Sequence, residues 1–177
     1  GSCGGTIRTH YDDILAGHPA LLERYARIKS RVYELTDFLF SVVKLDKLPV
    51  PAKGSFSGTV TYHDSCSGLR ELGVQRQPRE LLARREGVQL KEMDQARVCC
   101  GFGGTFAVKY GDISTAIVDD KCANIHASGA DAVIGGHPHV TQDIEHHRGK
   151  PIVYSVGNFV MKETDNEAQR QAWVLRM

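Results

Sequence analysis

Three cysteines are spaced in a way that could bind an iron–sulfur cluster. Cys66 stands alone, and well downstream the adjacent pair Cys99–Cys100 opens the glycine-rich string CCGFGG. Adjacent cysteines do not easily chelate one ion, but they can bind different irons of one multinuclear cluster. The glycines would let backbone N–H groups approach its sulfides. From spacing alone, the alternative is a glycine-rich turn in which one cysteine is buried.

Two histidines form a second candidate site. His137 and His139 lie in the string GGHPH, and such a pair can hold one metal ion or two neighbouring ions through its imidazole nitrogens. Two histidines need further ligands, so an ordinary surface loop is the alternative. His146 and His147 fall on a predicted strand and would point to opposite faces, which indicates a structural role.

The remaining cysteines indicate a reducing compartment. Five cysteines, an odd number that includes an adjacent pair, make a poor disulfide framework. The first residues contain no apolar segment typical of a secretion signal, so we expect a cytoplasmic protein. The isolated Cys122 is predicted to be a buried, small apolar side chain.

The elements that must position these residues follow a β-α-β-α-β order. Short β-branched or apolar strands are predicted at residues 59–63, 88–93 and 132–134. This order indicates an α/β fold with a mainly parallel sheet flanked by helices. Because the carboxyl ends of parallel strands share one edge, we expect Cys66, the Cys99–Cys100 pair and His137 to meet there.

Helices and a C-terminal hairpin complete the predicted chain. Apolar spacing predicts helices at residues 12–45, 78–85 and 105–128, the last ended by Gly129. A β-hairpin is predicted from strands 142–147 and 151–155, a final strand at 173–176, and an exposed segment at 162–172. The predicted organisation is an N-terminal helical segment with its linker (1–58), an α/β core (59–135) and a C-terminal β segment (136–177) that completes the same domain and continues its sheet.

Composition excludes several classes of protein. The 177 residues are 41% hydrophobic and 24% charged, which is typical of a globular chain rather than a disordered one. The net charge of +1 gives no electrostatic sign of a nucleic-acid partner. No apolar run is long enough to span a membrane, so membrane insertion is not expected.

The strings HDSCS and VCCGFGGTFAVK resemble the second cysteine-rich "CCG" domain of the lactate-utilisation protein A family, itself similar to the heterodisulfide-reductase B subunit. The resemblance covers residues 1–135, and Cys3 resembles the last cysteine of that family's first CCG domain. It implies an iron–sulfur electron-transfer protein in the oxidation of L-lactate to pyruvate, with Cys66, Cys99 and Cys100 as cluster ligands. It also implies the other subunits of an iron–sulfur lactate-oxidising complex as partners. The family's fourth cysteine falls where this chain has GHPH, so His137 or an outside ligand would complete the set.

Residues 129–177 resemble the C-terminal end of the CapA capsule-synthesis family. The strings GADAVIGGHPHV and DIEHHRGKPIVYSVGNFV carry this resemblance. It implies a metallophosphatase-like fold with His137 and His139 as ligands of a divalent metal such as Zn²⁺ or Mn²⁺. Asn158 belongs to the matching string SVGNF, but we expect it to have a structural role. The family's earlier metal-ligand motifs have no counterpart in residues 1–128.

Three functions are therefore open. The first is an iron–sulfur electron-transfer module of the lactate-utilisation type, with an incomplete ligand set. The second is a metal-dependent phosphoesterase-like CapA fragment. The third is a non-catalytic folded chimera or fusion of the two families. A hybrid zinc site of thiolates and imidazoles is a further possibility.

Overall fold

A computed structural model describes residues 1–46, 56–101, 103–136, 139–158 and 167–172. Helices and strands alternate through the middle of this part of the chain. The α-helices are α1 (Ser2–Ile14), α2 (Pro19–Lys29), α3 (Leu35–Asp37), α4 (Cys66–Leu72), α5 (Arg76–Ala83), α6 (Gly104–Lys109) and α7 (Gly111–Ser128). The strands are β1 (Gly58–Val60), β2 (Val88–Leu90), β3 (Val133–Ile134), β4 (Ile144–His147) and β5 (Lys150–Val153). A π-helical turn (Phe38–Val42) continues α3, and a 3₁₀ helix spans Glu167–Arg170.

The prediction of one helix over residues 12–45 is wrong. Pro19 cannot sit inside a helix without losing a hydrogen bond, and it instead begins α2 at its first position. A further break follows α2, and the Glu34 side chain then caps α3 by accepting a hydrogen bond from the Thr36 N–H at 2.7 Å. Helix α1 is not predicted from the sequence, because its two glycines have low helix propensity.

Helix α1 packs against α2 and α4, which places the N-terminal segment beside Cys66. The Tyr25 side chain is only 4% exposed, and its hydroxyl donates to the Ile7 carbonyl at 2.6 Å. The Ser67 hydroxyl of α4 donates to the Gly1 carbonyl at 3.4 Å. The start and the middle of α1 are therefore fixed to neighbouring helices.

The predicted parallel pairing of the first two strands is confirmed. Thr59 of β1 pairs with Gln89 of β2, and α4 and α5 form the connection between the two strands. The apolar side chains that are almost fully buried among the described residues cluster mainly around this unit and α2. They are Tyr25, Leu72, Val74, Leu81, Met93 and Val153.

A second sheet contains the other three strands in the order β3-β5-β4. Strand β5 is parallel to β3 and antiparallel to β4, so the predicted C-terminal hairpin is confirmed. Arg148 and Gly149, at its turn, both have positive φ values, of 52° and 80°. Two such residues match the twist of a two-residue hairpin turn.

The predicted continuous sheet is wrong within the described residues, since β1 and β3 belong to different sheets. A cavity of about 600 Å³ with mainly apolar walls lies between them. The Asp131 carboxylate bridges the sheets instead, because it accepts from the Thr59 N–H at 3.2 Å and lies 3.3 Å from the Lys150 ammonium. The fold is therefore a mixed α/β structure in which parallel pairs lie in two small sheets.

The predicted helix over residues 105–128 is divided at Tyr110, whose φ and ψ of −128° and 51° are not helical. Gly129 ends α7 in the left-handed region with a φ of 81°, as predicted. The buried residues of α7 are polar rather than apolar: Ser114, Lys121 and Ser128, which recur every seventh residue.

The prediction that Cys122 is buried is wrong, because this cysteine is exposed on α7. Its neighbour Lys121 occupies the buried position instead. Adjacent residues on a helix point about 100° apart, so burial of one turns the other toward solvent.

The C-terminal region is described only in part. Glu167 and Arg170 are exposed, as predicted for residues 162–172. The predicted strand at 173–176 lies outside the described residues. Among the helices of the described ranges, none has both the length and the apolar character needed to cross a membrane.

Candidate functional site

Cys66 is the first residue of α4 and follows strand β1 through a short loop. Ser65 caps this helix, since its hydroxyl accepts from the Gly68 N–H at 3.2 Å. Serine is a favoured N-cap residue because its oxygen satisfies one of the unpaired N–H groups of the first turn. The cap therefore fixes where Cys66 sits.

Cys99 and Cys100 lie in the loop between β2 and α6. The Gly101 N–H donates to Cys99 Sγ at 3.4 Å, and the Ser114 hydroxyl donates to the Gly101 carbonyl at 2.7 Å. Gly101 has a φ of 77°, and a Cβ added there would lie 2.6 Å from the Ser114 carbonyl oxygen. Only glycine allows this close contact between the cysteine loop and α7.

The structure brings the three predicted cysteines together. Cys99 and Cys100 both lie near enough to Cys66 to influence the pKa of its thiol. Burial raises the pKa of the Cys66 thiol, and the neighbouring thiols raise it further, while the positive charge of Arg70 opposes them. We call Cys66, Cys99 and Cys100 the thiol cluster.

One backbone carbonyl ties together the two loops that carry the thiol cluster. The carbonyl of Ala96 accepts from the Asp64 N–H at 3.1 Å and lies 3.0 Å from Nδ1 of His63. Burial lowers the pKa of His63, and the charge of Lys121 lowers it further; the Ala96 hydrogen bond and Asp64 act in the opposite direction. A neutral His63 that is protonated on Nδ1 fits this contact.

An ion-pair network centred on the buried Asp64 supports the same loop. Both carboxylate oxygens of Asp64 accept from Arg79, at 2.7 and 2.8 Å, and Asp64 is 1% exposed. Arg79 also donates to Glu92, at 2.6 and 3.0 Å. Hydrogen bonds to the two carboxylates raise the pKa of the Arg79 guanidinium above its already high usual value. The guanidinium thus holds Asp64, two residues before Cys66, against α5 and the segment after β2.

Lys121 fixes the second loop from the other side. Its side chain is buried, at 5% exposure, and its ammonium donates to the Gln95 carbonyl at 2.6 Å. Gln95 has a φ of 56°, in the left-handed region that few side chains adopt. The contact with Lys121 stabilises this turn just before the cysteine pair.

The predicted histidine site is only partly within the described residues. His137 lies outside them. Nδ1 of His139 lies 2.7 Å from Oδ1 of Asn158, and Nδ2 of Asn158 donates to the His139 carbonyl at 2.9 Å. Asn158 therefore orients the His139 ring, in keeping with its predicted structural role.

The described ranges contain no group of three or more His, Cys, Asp or Glu side chains that could hold a metal ion. The thiol cluster therefore does not form a compact three-ligand site for one ion.

Sequence reasoning missed Asp64, Arg79 and Lys121. Asp64 could have been noticed, because it lies between a predicted strand and a candidate ligand. Lys121 had a weaker signal, the seven-residue spacing of polar residues along α7. Arg79 had no signal in the sequence, since an arginine on a short helix is normally solvated.

Curated relatives share a substantial part of this sequence. It is 37% identical over 155 residues to lactate utilization protein A of Halalkalibacterium halodurans, which covers 86% of this chain and 62% of that protein. It is 37% identical over 135 residues to lactate utilization protein A 2 of Bacillus cereus strain Q1, covering 76% of this chain and 54% of the relative. The chain thus spans less than two thirds of the length of these relatives.

A second comparison concerns the C-terminal region. The family model described as "Bacterial capsule synthesis protein PGA_cap" matches residues 103–163. This match begins earlier than the predicted resemblance over 129–177, at Gly103 beside the thiol cluster. No solved structure is significantly similar to the chain. The chain is therefore similar to lactate utilization proteins A over most of its length, and to a bacterial capsule synthesis family across residues 103–163.

Proposed function

We propose that this chain is an iron–sulfur electron-transfer module of the lactate-utilisation type, in which Cys66, Cys99 and Cys100 are cluster ligands. The observation that carries the proposal is the thiol cluster: Cys99 and Cys100, far from Cys66 in sequence, both raise the pKa of the Cys66 thiol. The similarity to lactate utilization proteins A supports the physiological setting. The proposed partners are the other subunits of an iron–sulfur complex that oxidises lactate.

The donor set fits an iron–sulfur cluster in its chemistry. Thiolates are the usual protein ligands of such clusters, and N–H donors to ligand sulfurs tune their potentials. Here the Gly101 N–H already donates to Cys99 Sγ. When bound, the cluster would supply one-electron transfer. The residues of the chain hold the sulfurs in place and shield them partly from water.

The supporting network explains why the thiols can be held without a metal. Asp64 and His63 contact the Ala96 carbonyl, and Lys121 contacts the neighbouring Gln95 carbonyl. These contacts fix both loops from buried positions. Because a thiol must lose its proton to become a ligand, and the pKa of Cys66 is raised, we expect cluster binding to release protons and to weaken at low pH.

The test is metal and sulfide analysis after anaerobic reconstitution. We expect iron and acid-labile sulfide in similar amounts in the wild-type chain, and loss of both in Cys66→Ser, Cys99→Ser and Cys100→Ser. Cys122→Ser is the matched control, because that cysteine is exposed on α7. Equal loading of Cys99→Ser and the wild type would contradict the proposal, as would iron without sulfide.

A second candidate is a metal-dependent phosphoesterase activity that uses His137 and His139. The observation in its favour is the bond between His139 and Asn158 within a region that matches the capsule synthesis family. A hydrogen bond to one ring nitrogen orients histidine ligands in metal sites. Hydrolysis of p-nitrophenyl phosphate with added Mn²⁺ or Zn²⁺ should be lost in His139→Ala and kept in His146→Ala. Absence of metal-stimulated hydrolysis in the wild type rejects this candidate.

The third function is a folded chimera that catalyses no reaction, and the same samples test it. It predicts that neither iron nor manganese binds, and that EDTA does not change the unfolding midpoint. Metal binding at either site would reject it.

A further inference from the structure

We propose that the cavity between the two sheets is a binding site for an uncharged small molecule that consists mainly of hydrocarbon. The cavity has a volume of about 600 Å³, and ligand pockets typically measure about 300–1,000 Å³. It is separate from the thiol cluster and from His139, since none of these residues lines it. The inference therefore stands apart from the proposed function and needs neither a cluster nor a partner protein.

Apolar side chains from both sheets and from two helices form the walls. Val60 lies on β1, Val133 on β3, Leu82 on α5 and Ile125 on α7. Parts of the chain that are distant in sequence therefore enclose the space, so it exists only in the folded protein. A hydrocarbon that fills it would contact apolar atoms on several sides, and each such contact adds dispersion energy.

Water is a poor occupant of a space with mainly apolar walls. An ordered water molecule in a protein makes about two to four hydrogen bonds to polar groups. Apolar cavities without such groups stay dry and take up apolar molecules instead. The walls of this cavity therefore favour a hydrocarbon over water.

The charges of the walls favour an uncharged ligand. Among the described residues, no aspartate or glutamate lines the cavity, so a cationic ligand would find no counter-charge there. Arg85 lines it and already interacts with another group of the chain, so an anionic ligand would have to compete for the guanidinium. Burial lowers the pKa of His63 and raises the pKa of Tyr62, which favours the neutral form of both side chains.

Polar side chains line the cavity where β1 ends. Thr61, Tyr62 and His63 directly follow the last residue of this strand. Nδ1 of His63 lies 3.0 Å from the Ala96 carbonyl, and the guanidinium of Arg79 lies 5.4 Å from the centre of the Tyr62 ring. Both side chains are thus held in place before any ligand arrives. We expect a ligand with one uncharged polar group, such as a hydroxyl, at this end and hydrocarbon elsewhere.

The experiment is a fluorescence titration of the full chain with N-phenyl-1-naphthylamine, an uncharged probe that becomes brighter in apolar surroundings. We expect saturable binding at one site per chain. 1-Decanol should displace the probe, and decanoate should need about a tenfold higher concentration, because its carboxylate loses hydration on binding.

A substitution that fills the cavity tests the location of the probe. In Ala132→Leu the added carbon atoms would occupy part of the space, because Ala132 lines it. We expect the affinity for the probe to fall about tenfold, while the midpoint of thermal unfolding stays the same or rises, as is common when a cavity is filled. Ala123→Leu is the matched control, since Ala123 is exposed on α7. Ala130→Leu is a second filling variant if Ala132→Leu does not fold.

Several results would overturn the inference. One is the absence of saturable binding by the wild type, and another is wild-type affinity in a folded filling variant. Loss of binding in Val108→Ser would place the probe on the surface of α6, where Val108 is 86% exposed. Stronger displacement by decanoate than by 1-decanol would exclude an uncharged ligand.

These outcomes are independent of cluster loading. A chain that binds the probe but never binds iron would reject only the proposed function. A chain that loads iron but does not bind the probe would reject only this inference.

Discussion

Asp64 and Arg79 form a doubly hydrogen-bonded ion pair beneath the thiol cluster. The two terminal nitrogens of Arg79 lie 2.7 and 2.8 Å from the two carboxylate oxygens of Asp64. The Asp64 side chain is almost completely buried, so neither oxygen can exchange its partner for water. This pair fixes the residue that precedes the helix cap at Ser65, and through it the position of Cys66.

Removal of one partner of this pair should strongly destabilise the fold. In Asp64→Ala the guanidinium of Arg79 loses its buried carboxylate but keeps Glu92, and we expect the loss of these charged hydrogen bonds to cost about 1.5–3 kcal/mol. The control is Glu80→Ala, since Glu80 pairs with Arg76 on the surface and such pairs contribute about 0–1 kcal/mol. Urea unfolding followed by circular dichroism measures both. Equal midpoints for the two variants would show that the buried pair does not stabilise the structure.

Stability should decrease as the pH falls below about 6.5, the usual pKa of histidine, because the folded state lowers the pKa of His63. At pH values between the pKa of His63 in the folded chain and its pKa in the unfolded chain, the unfolded chain binds more protons. The stabilisation is therefore complete above the unfolded pKa and is lost as the pH drops through the folded pKa.

The variant His63→Asn should flatten this part of the pH dependence, because asparagine can donate to the Ala96 carbonyl but does not titrate there. Urea midpoints measured between pH 5 and 8 provide the test. His146→Asn, an exposed position on β4, should keep the wild-type slope. An identical slope in His63→Asn would assign the effect to another group.

Replacement of Lys121 should raise the pKa of His63. The ammonium of Lys121 disfavours the charged imidazole, and Lys121→Met removes that charge while keeping an unbranched side chain. The His63 ring signals in an NMR titration should move their midpoint toward higher pH. Lys109→Met, at an exposed position on α6, should leave the midpoint unchanged. A shift of equal size in both variants would exclude a local effect.

Gly101 should tolerate alanine much less well than Gly129. Both have a positive φ, of 77° and 81°, so alanine costs about 1–2 kcal/mol at each from backbone strain. At Gly129 a Cβ meets nothing within 4 Å, whereas at Gly101 it would lie 2.6 Å from the Ser114 carbonyl oxygen. We expect an additional cost of about 1–3 kcal/mol for Gly101→Ala from overpacking. Denaturant unfolding of the two variants gives the difference, and equal losses would mean that the loop can move away from α7.

Local patterns in the sequence predicted the elements whose signals lie in neighbouring residues. The parallel pair β1–β2, the hairpin and the end of α7 at Gly129 depend on strand composition and turn chemistry, and the structure confirms them. The same reasoning missed the effect of Pro19, because apolar spacing continues past it. It could not predict that the strands form two sheets, because this depends on the long-range pairing of β5 with β3.

The candidate site was only partly predictable. The strand order predicted that Cys66 would meet the Cys99–Cys100 pair, and the structure brings them together. The groups that hold them are buried charges, Asp64 with Arg79 and Lys121 with the Gln95 carbonyl. A single sequence gives no sign of such pairing, because charged residues are normally assigned to the surface.

The bridge at Asp131 has a consequence for how the molecule opens. Each small sheet has its own ladder of backbone hydrogen bonds, and among the described residues the link between β1 and the Asp131 side chain replaces a shared ladder. When the contact between Asp131 and the Thr59 N–H breaks, the two sheets can therefore move apart while every strand stays hydrogen-bonded within its own sheet. The two ladders should act as separate units in native-state hydrogen exchange, each with its own opening free energy, so the hairpin half can fluctuate while the loops that carry the thiol cluster stay protected.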